Sequence, residues 1–460
     1  MPHFRFQRPR QPLPPFPQMV KNLCRRTKEG FLSGWYFQGD ENSRNRVWHL
    51  TYNYTANIIA NLVGGNFYTG LMLLLGANDG FVGLMSMITY AANLMQCLSP
   101  LLLERFSSRK RLLIGIRLIT LFFNVVFIGL VPFFDVGQQF RLTLFGFGVL
   151  MVQFTNALTA PGYNIWHIQF LPQRVRVRYF SLLSMTNGIL VACFNLLGSA
   201  VVDHFKAQGS EFIGLTVLRV FALLVTALDI YALSQMKEYP YSQNAKRFTL
   251  KDLLISPFKE VKYLRTIGIA FFWNMAANIP GSYYTVYLLK NLDVSYSFIT
   301  LANFLNVPIL LLLMPVWSRF LRKFSWLKTL NIALALYAPH YILLGLITKG
   351  SVYYLYPLTL AYAFTLSVGI NLAFTNVPYI NMPEKNQTVF IGFYSTMANL
   401  GALIGVTIGR QLVEGLHAVN FQFLGLTFVD KQVLVLIVGV VMALTAVIVY
   451  FLRRGVKEEA

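Results

Sequence analysis

The sequence predicts an all-α polytopic membrane protein of twelve transmembrane helices, arranged as two pseudo-symmetric six-helix bundles. Three observations carry this expectation. Apolar stretches of helix length recur along the chain, basic and base-poor connections alternate between them, and polar motifs reappear about 214 residues apart.

Of the 460 residues, 55% are hydrophobic and 12% charged, against about 25% charged in a soluble domain. A helix needs roughly 20 apolar residues to cross a bilayer. Twelve such stretches occur, near 47–75, 80–103, 112–134, 141–171, 179–202, 212–235, 266–289, 295–318, 326–348, 352–381, 388–413 and 431–452. Residues 1–45 precede them as a basic, Pro-rich cytoplasmic tail, "MPHFRFQRPRQPLPPFPQ" at its start, without the apolar region of a cleavable signal. Spans 1–6 fall in a first bundle, 46–235. Residues 236–264 form a cytoplasmic linker whose "FTLKDLLISPFKEVKYL" segment has the pattern of an amphipathic surface helix. Spans 7–12 fall in a second bundle, 265–453, and 454–460 is a cytoplasmic tail.

The formal net charge of +21 raises nucleic acid as a partner. The distribution of charge argues against it. With the amino terminus in the cytoplasm, 31 of the 39 Lys and Arg residues fall on the cytoplasmic side, 6 fall outside, and Arg117 and Arg219 lie within spans. This is the positive-inside bias of a membrane protein. It places both termini inside, in a plasma or inner cell membrane, with an even number of spans. Cys24, Cys97 and Cys193 have no metal-like spacing and read as reduced.

The repeat connects the two bundles. Asn57 and Asn61 match Asn274 and Asn278 at an offset of 217, and Tyr68–Thr69 match Tyr284–Thr285 at 216. Pro100 and Pro315 are 215 apart, Pro172 and Pro383 are 211 apart, and Asn187 and Asn399 are 212 apart. Collinear matches of this kind point to a duplicated six-span unit, an arrangement that in transporters places the substrate between the repeats. Asn53, Asn57 and Asn61 lie one turn apart on one helix face. Lipid cannot satisfy their amides. They either bridge helices or line a wet cavity, and their reappearance in the second half favours the cavity. Gly64–Gly65 and Pro280–Gly281 could break their helices or permit close packing, and packing is the better reading of the sequence.

Six plus six spans, both termini inside and a basic loop 2–3 resemble the major facilitator superfamily. In loop 2–3 the text "PLLLERFSSRKR" is a degraded form of the family's G-x-x-x-D-R-x-G-R-R motif. The resemblance implies that Glu104, Arg105 and Arg109 make gating charge contacts. It also implies that spans 1, 4, 7 and 10 line a central cavity. By position these spans offer Asn57, Asn61 and Tyr68, then Gln153, Asn156 and Thr159, then Trp273, Asn274, Asn278, Tyr283 and Tyr284, and finally Asn371 and Asn376. Carboxamides both donate and accept hydrogen bonds, and aromatic faces suit ring faces. The expected substrate is therefore a small, neutral, polar solute, sugar-like or nucleoside-like. It would move by secondary active or facilitative transport with alternating access.

Coupling to H+ or Na+ stays open. Asp229 and Glu414 read as end-of-helix residues, which leaves His167 and His340 as titratable candidates, and a packed neutral role fits His167 better. No catalytic constellation, nucleotide-binding loop, metal spacing or cofactor signature stands out, so an enzyme is not expected. A multidrug-type exporter is the weaker alternative, because span 5 lacks that group's Gly-Pro pattern. A sensor or scaffold on the same fold, docking a partner through the basic tail, is another. The family resemblance implies a monomer in the lipid bilayer.

Overall fold

The computed structural model describes residues 41–103, 106, 108–169, 173–238, 256–374, 377, 380–382, 387–416, 421–423 and 426–454. Nine helices among these residues are long and apolar enough to cross a membrane. They correspond to spans 3–6 and 8–12. The other three expected spans are built from shorter helices in series. Span 1 is Glu41–Leu62 followed by Gly65–Leu74. Span 2 is Asp79–Leu94, a 3-10 turn and Ser99–Leu103. Span 7 is Val261–Asn278, Tyr283–Val286 and a π-helical turn, Tyr287–Asn291. Spans 1 and 7 thus begin at Glu41 and Val261, earlier than the sequence pattern suggests. The described residues are nearly all helical. The exception is a short antiparallel ribbon, Phe421–Phe423 with Leu426–Phe428, between spans 11 and 12. Its aromatic and β-favouring residues suit a strand better than a continued helix.

The Gly64–Gly65 and Pro280–Gly281 steps do more than allow packing, which corrects the expectation from sequence. Gly65 has φ +53 and Gly281 has φ +48, a left-handed geometry that costs a side chain about 1–2 kcal/mol. A Cβ on Gly64 would lie 2.3 Å from the Ala60 carbonyl oxygen. Pro280 supplies no N–H to the ladder. The chain therefore breaks at two points 216 residues apart, the same offset as the repeated polar motifs.

The packing repeats as well. Span 1 packs on spans 5 and 6, as span 7 packs on spans 11 and 12. Span 3 packs on 4 and 6, as 9 packs on 10 and 12, and span 2 packs on 4, as 8 packs on 10. Between the halves, span 2 meets span 11 and span 5 meets span 8. Shifting each span number by six exchanges these two junctions, as an approximate two-fold relation requires. Outward faces carry exposed Leu224, Leu311, Leu358, Val440 and Phe451. Water would penalise such a surface and hydrocarbon does not.

Two packing devices hold the bundles. In the second, Gly401, Gly405 and Gly409 of span 11 form one stripe at helical spacing. A Cβ on each would lie 2.4, 2.1 and 1.9 Å from the carbonyl oxygens of Phe271, Met275 and Ile279 of span 7. Small residues let two backbones approach where no hydrophobic force between helices exists. In the first bundle, Arg117 of span 3 donates to Asp229 of span 6 at 2.9 and 3.2 Å, and Thr55 of span 1 donates to the same carboxylate at 3.0 Å. Asp229 is fully buried, so the end-of-helix reading of this residue is corrected. It is the hub of a three-span tie.

Candidate functional site

A cavity of about 600 Å³ lies between the halves, bordered by both helix breaks. Spans 1, 2, 3, 4, 7 and 9 line it. Of the residues expected from sequence, Tyr68, Gln153, Asn156 and Asn278 reach it. Ser86, Thr89 and Tyr90 of span 2, Asn124 of span 3, Ser282 beside the second break and Tyr341 of span 9 also line it and were missed. Ser86 and Tyr90 are one turn apart, and Asn124 is a lone amide in the apolar run "FFNVVF". Both signals were present in spans that the resemblance does not assign to the cavity.

The amides form matching ladders. Asn57 and Asn61 donate to the Asn53 and Asn57 carbonyls, each at 2.8 Å. Asn274 and Asn278 donate to the Ala270 and Asn274 carbonyls at 2.8 and 2.7 Å. One N–H of each amide is satisfied by the carbonyl one turn back, which leaves the second N–H and the amide oxygen for other partners. Asn278 uses its oxygen across the halves, accepting from the Tyr90 hydroxyl. Ser86 and Ser282 meet at 3.2 Å across the same seam, and Asn93 donates to Asn399 at 3.3 Å. Asn61 instead accepts from Asn195 at 3.3 Å and lines a neighbouring cleft of about 370 Å³ with Asn66, Asn303 and Asn306.

Other expected residues lie elsewhere. Asn57 and Asn274 border neither cavity. Trp273 stacks on Phe374 and meets Tyr337 edge-on. Tyr283 is buried beneath Gly83, and Tyr284 packs with Tyr287 and Tyr356. Thr159 is buried and donates to the Thr155 carbonyl. Asn371 is exposed on span 10, and Asn376 lies outside the described residues. His167 sits away from the cavity in an aromatic cluster, 4.2 Å from His49 between ring centroids and close to Tyr52 and Tyr163. His340 is buried against the Thr359 carbonyl at 3.0 Å.

Loops 1–2, 5–6, 7–8 and 11–12 share one face, the one that the charge count predicts to be outer. Two latches join the halves there. Lys431 of span 12 donates to Asp79 at the start of span 2, at 2.7 Å, and both side chains are largely buried. On the opposite edge Asp203 of span 5 accepts from the Tyr296 and Ser297 amides at the start of span 8, at 2.9 and 2.8 Å. Glu211 accepts from the Tyr296 hydroxyl at 2.8 Å, and Lys206 pairs with Asp293 at 2.6 Å. A carboxylate at a helix amino terminus satisfies orphan amides and opposes the helix dipole. The shift by six spans relates part of the two latches: span 12 holds the start of span 2 as Glu211 of span 6 holds the start of span 8, while Asp203 belongs to span 5.

At the opposite face Glu104 and Arg105 lie outside the described residues. The Arg109 and Lys110 amides donate to Glu238 at 2.5 and 3.1 Å, and the Ser108 hydroxyl does so at 2.9 Å, capping span 3 with the end of span 6. Among the described residues no group of three or more His, Cys, Asp or Glu is placed to hold a metal ion.

Comparison with solved structures gives the same architecture. A nucleoside transporter, NupG, aligns with TM-score 0.61 at 12% identity over 91% of this chain and 100% of its own. A bacterial homolog of the human lysosomal transporter Spinster, inward-facing and unoccupied, aligns with TM-score 0.63 at 15% identity over 92% and 99%. An auto-inhibited POT family peptide transporter aligns with TM-score 0.65 at 12% identity over 90% and 98%. At these identities the likeness is one of fold. A comparison with curated proteins found no match. The sequence model of the major facilitator superfamily matches residues 53–406, most of both bundles. The chain is a multi-pass membrane protein and belongs to the major facilitator superfamily of transporters.

Proposed function

We propose that this transporter carries a small polar solute with hydroxyl groups and ring faces, sugar-like or nucleoside-like, by alternating access. Transport is secondary active or facilitative, in the plasma or inner membrane, with both termini cytoplasmic. The observation that carries this reading is the cavity at the paired helix breaks. Both halves supply its wall, and Gln153, Asn156 and Asn278 with Tyr68 and Tyr90 offer hydrogen bonds and ring faces without a charged side chain. Broken helices at a repeat interface free backbone groups for a ligand, and a pocket of this size suits a small molecule. Proton coupling through His167 gains no support from its place outside the cavity, and the coupling ion, H+ or Na+, has no assigned residue. Glu104, Arg105 and Arg109 retain their proposed part in closing the cytoplasmic face.

Thermal-shift screening of the purified protein against sugars and nucleosides tests the reading. A binder is expected to raise the melting temperature. Asn278→Leu is expected to insert normally yet weaken that binder about tenfold, the loss of roughly one good hydrogen bond. Wild-type affinity in Asn278→Leu would remove this residue from the site.

A further inference from the structure

Arg219 does not fit a wholly neutral site. It lies within span 6, two to three turns from the outer end of that helix, and is 7% exposed. Its sole hydrogen bond among the described residues runs from Nη1 to the Asn124 carbonyl oxygen, at 2.9 Å. That oxygen belongs to the π-helical turn Phe122–Phe127, a local geometry frequent at functional sites. Among the described residues no carboxylate accompanies it. The acid in the same helix, Asp229, is already held by Arg117 and Thr55. The ionisable side chain within electrostatic reach of Arg219 is Tyr68. The Tyr68 hydroxyl is buried without a hydrogen-bond partner among the described residues.

Tyr68 and Asn124 both line the central cavity. The guanidinium therefore stands immediately behind the wall that these two residues form. Tyr284, the counterpart of Tyr68, has its hydroxyl directed to the Leu344 carbonyl at 3.4 Å. Of these two tyrosines, Tyr68 is the one whose hydroxyl is idle among the described residues. An ionised side chain inside a membrane span is costly unless a counter-charge meets it, and it marks function by default.

We propose that the transported solute carries an anionic group, a carboxylate or a phosphate, which docks at the Tyr68–Asn124 wall with Arg219 as its counter-charge. The proposal rests on the central cavity being the solute site. It replaces the neutral solute expected from sequence with a hydroxylated ring compound bearing one acidic substituent. Ring and hydroxyl groups face Gln153, Asn156 and Asn278. The acidic group takes the Tyr68 hydroxyl as a donor and neutralises the guanidinium.

Matched ligand pairs test this on the purified full-length protein at constant ionic strength. The probes are glucose against glucuronate and glucose 6-phosphate, and uridine against uridine 5′-monophosphate. In at least one pair the anionic member is expected to bind about tenfold or more tightly than its neutral partner. Arg219→Gln is expected to abolish that preference, and Arg219→Lys to retain part of it. Neutral members that bind as well as the anionic ones overturn this proposal and leave the transporter reading intact. Sodium chloride that stabilises the wild type as well as the organic anions do assigns the cation to a halide and overturns the docking role.

A ligand-free comparison covers the case in which no probe binds, an outcome that counts against the sugar or nucleoside reading itself. Empty Arg219→Gln is expected to melt at or above the wild type, because it removes an uncompensated charge. A lower melting temperature, or failure to fold, makes Arg219 a structural tie to Asn124 and overturns the proposal.

Discussion

Gly405→Leu is expected to destroy the packing of the second bundle. The nearest backbone atom to a Cβ there is the Met275 carbonyl oxygen at 2.1 Å, a distance that no rotamer change relieves. Spans 7 and 11 would have to separate, and the neighbouring approaches at Gly401 and Gly409 would open with them. Overpacking a tight contact typically costs about 1–3 kcal/mol, occasionally more, and here one change disturbs three contacts. The expected result is a large fall in melting temperature or loss of folded protein, read by fluorescence-detected size exclusion. Gly115→Ala in span 3 is the control. Nothing lies within 4 Å of that Cβ, so the change is expected to be neutral or stabilising by about 0.5–1 kcal/mol.

Asp229→Ala carries the second large effect. It leaves Arg117 charged and buried between spans 1, 3 and 6, with Thr55 also deprived of its acceptor. Removing one member of a buried pair costs about 3–5 kcal/mol, whereas replacing both with apolar residues of similar volume is often near neutral. The double variant Arg117→Met with Asp229→Leu is therefore expected to recover most of the melting temperature lost by Asp229→Ala. A double variant no better than the single one would show that the three-span tie, and not charge compensation, supplies the stability.

These residues also show where the sequence speaks and where it is silent. Span positions were legible because crossing hydrocarbon imposes a length and a composition on every helix. The repeat was legible because Asn57, Asn61 and Tyr68 have counterparts in the same order. The helix breaks were legible as positions and not as geometry: a glycine pair is compatible with close packing or with positive φ, and only the surrounding fold decides. The Arg117–Asp229 pair was hidden because its members are 112 residues apart, and one of them, near a helix end, looked solvated. The span 11 glycine stripe was overlooked because its significance lies in span 7, whose carbonyls carry no sequence signature. The cavity wall was half legible. Gln153, Asn156 and Asn278 followed from the expected lining spans. Tyr90 and Asn124 did not, because they lie on spans 2 and 3, which also reach the cavity and which the resemblance does not assign to it.

Alternating access requires the outer latches to open in every cycle. The measurement that tests this most directly uses a chain with Cys24, Cys97 and Cys193 replaced by Ser and with Asp79→Cys and Lys431→Cys introduced. The solute is one identified by thermal shift, and its uptake is measured before bridging the two thiols with a short reducible crosslinker, after bridging, and after reduction. The account predicts that bridging lowers uptake about tenfold or more and that reduction restores it, since halves tied at one face cannot rock about the central cavity. Undiminished uptake by the bridged protein would contradict it.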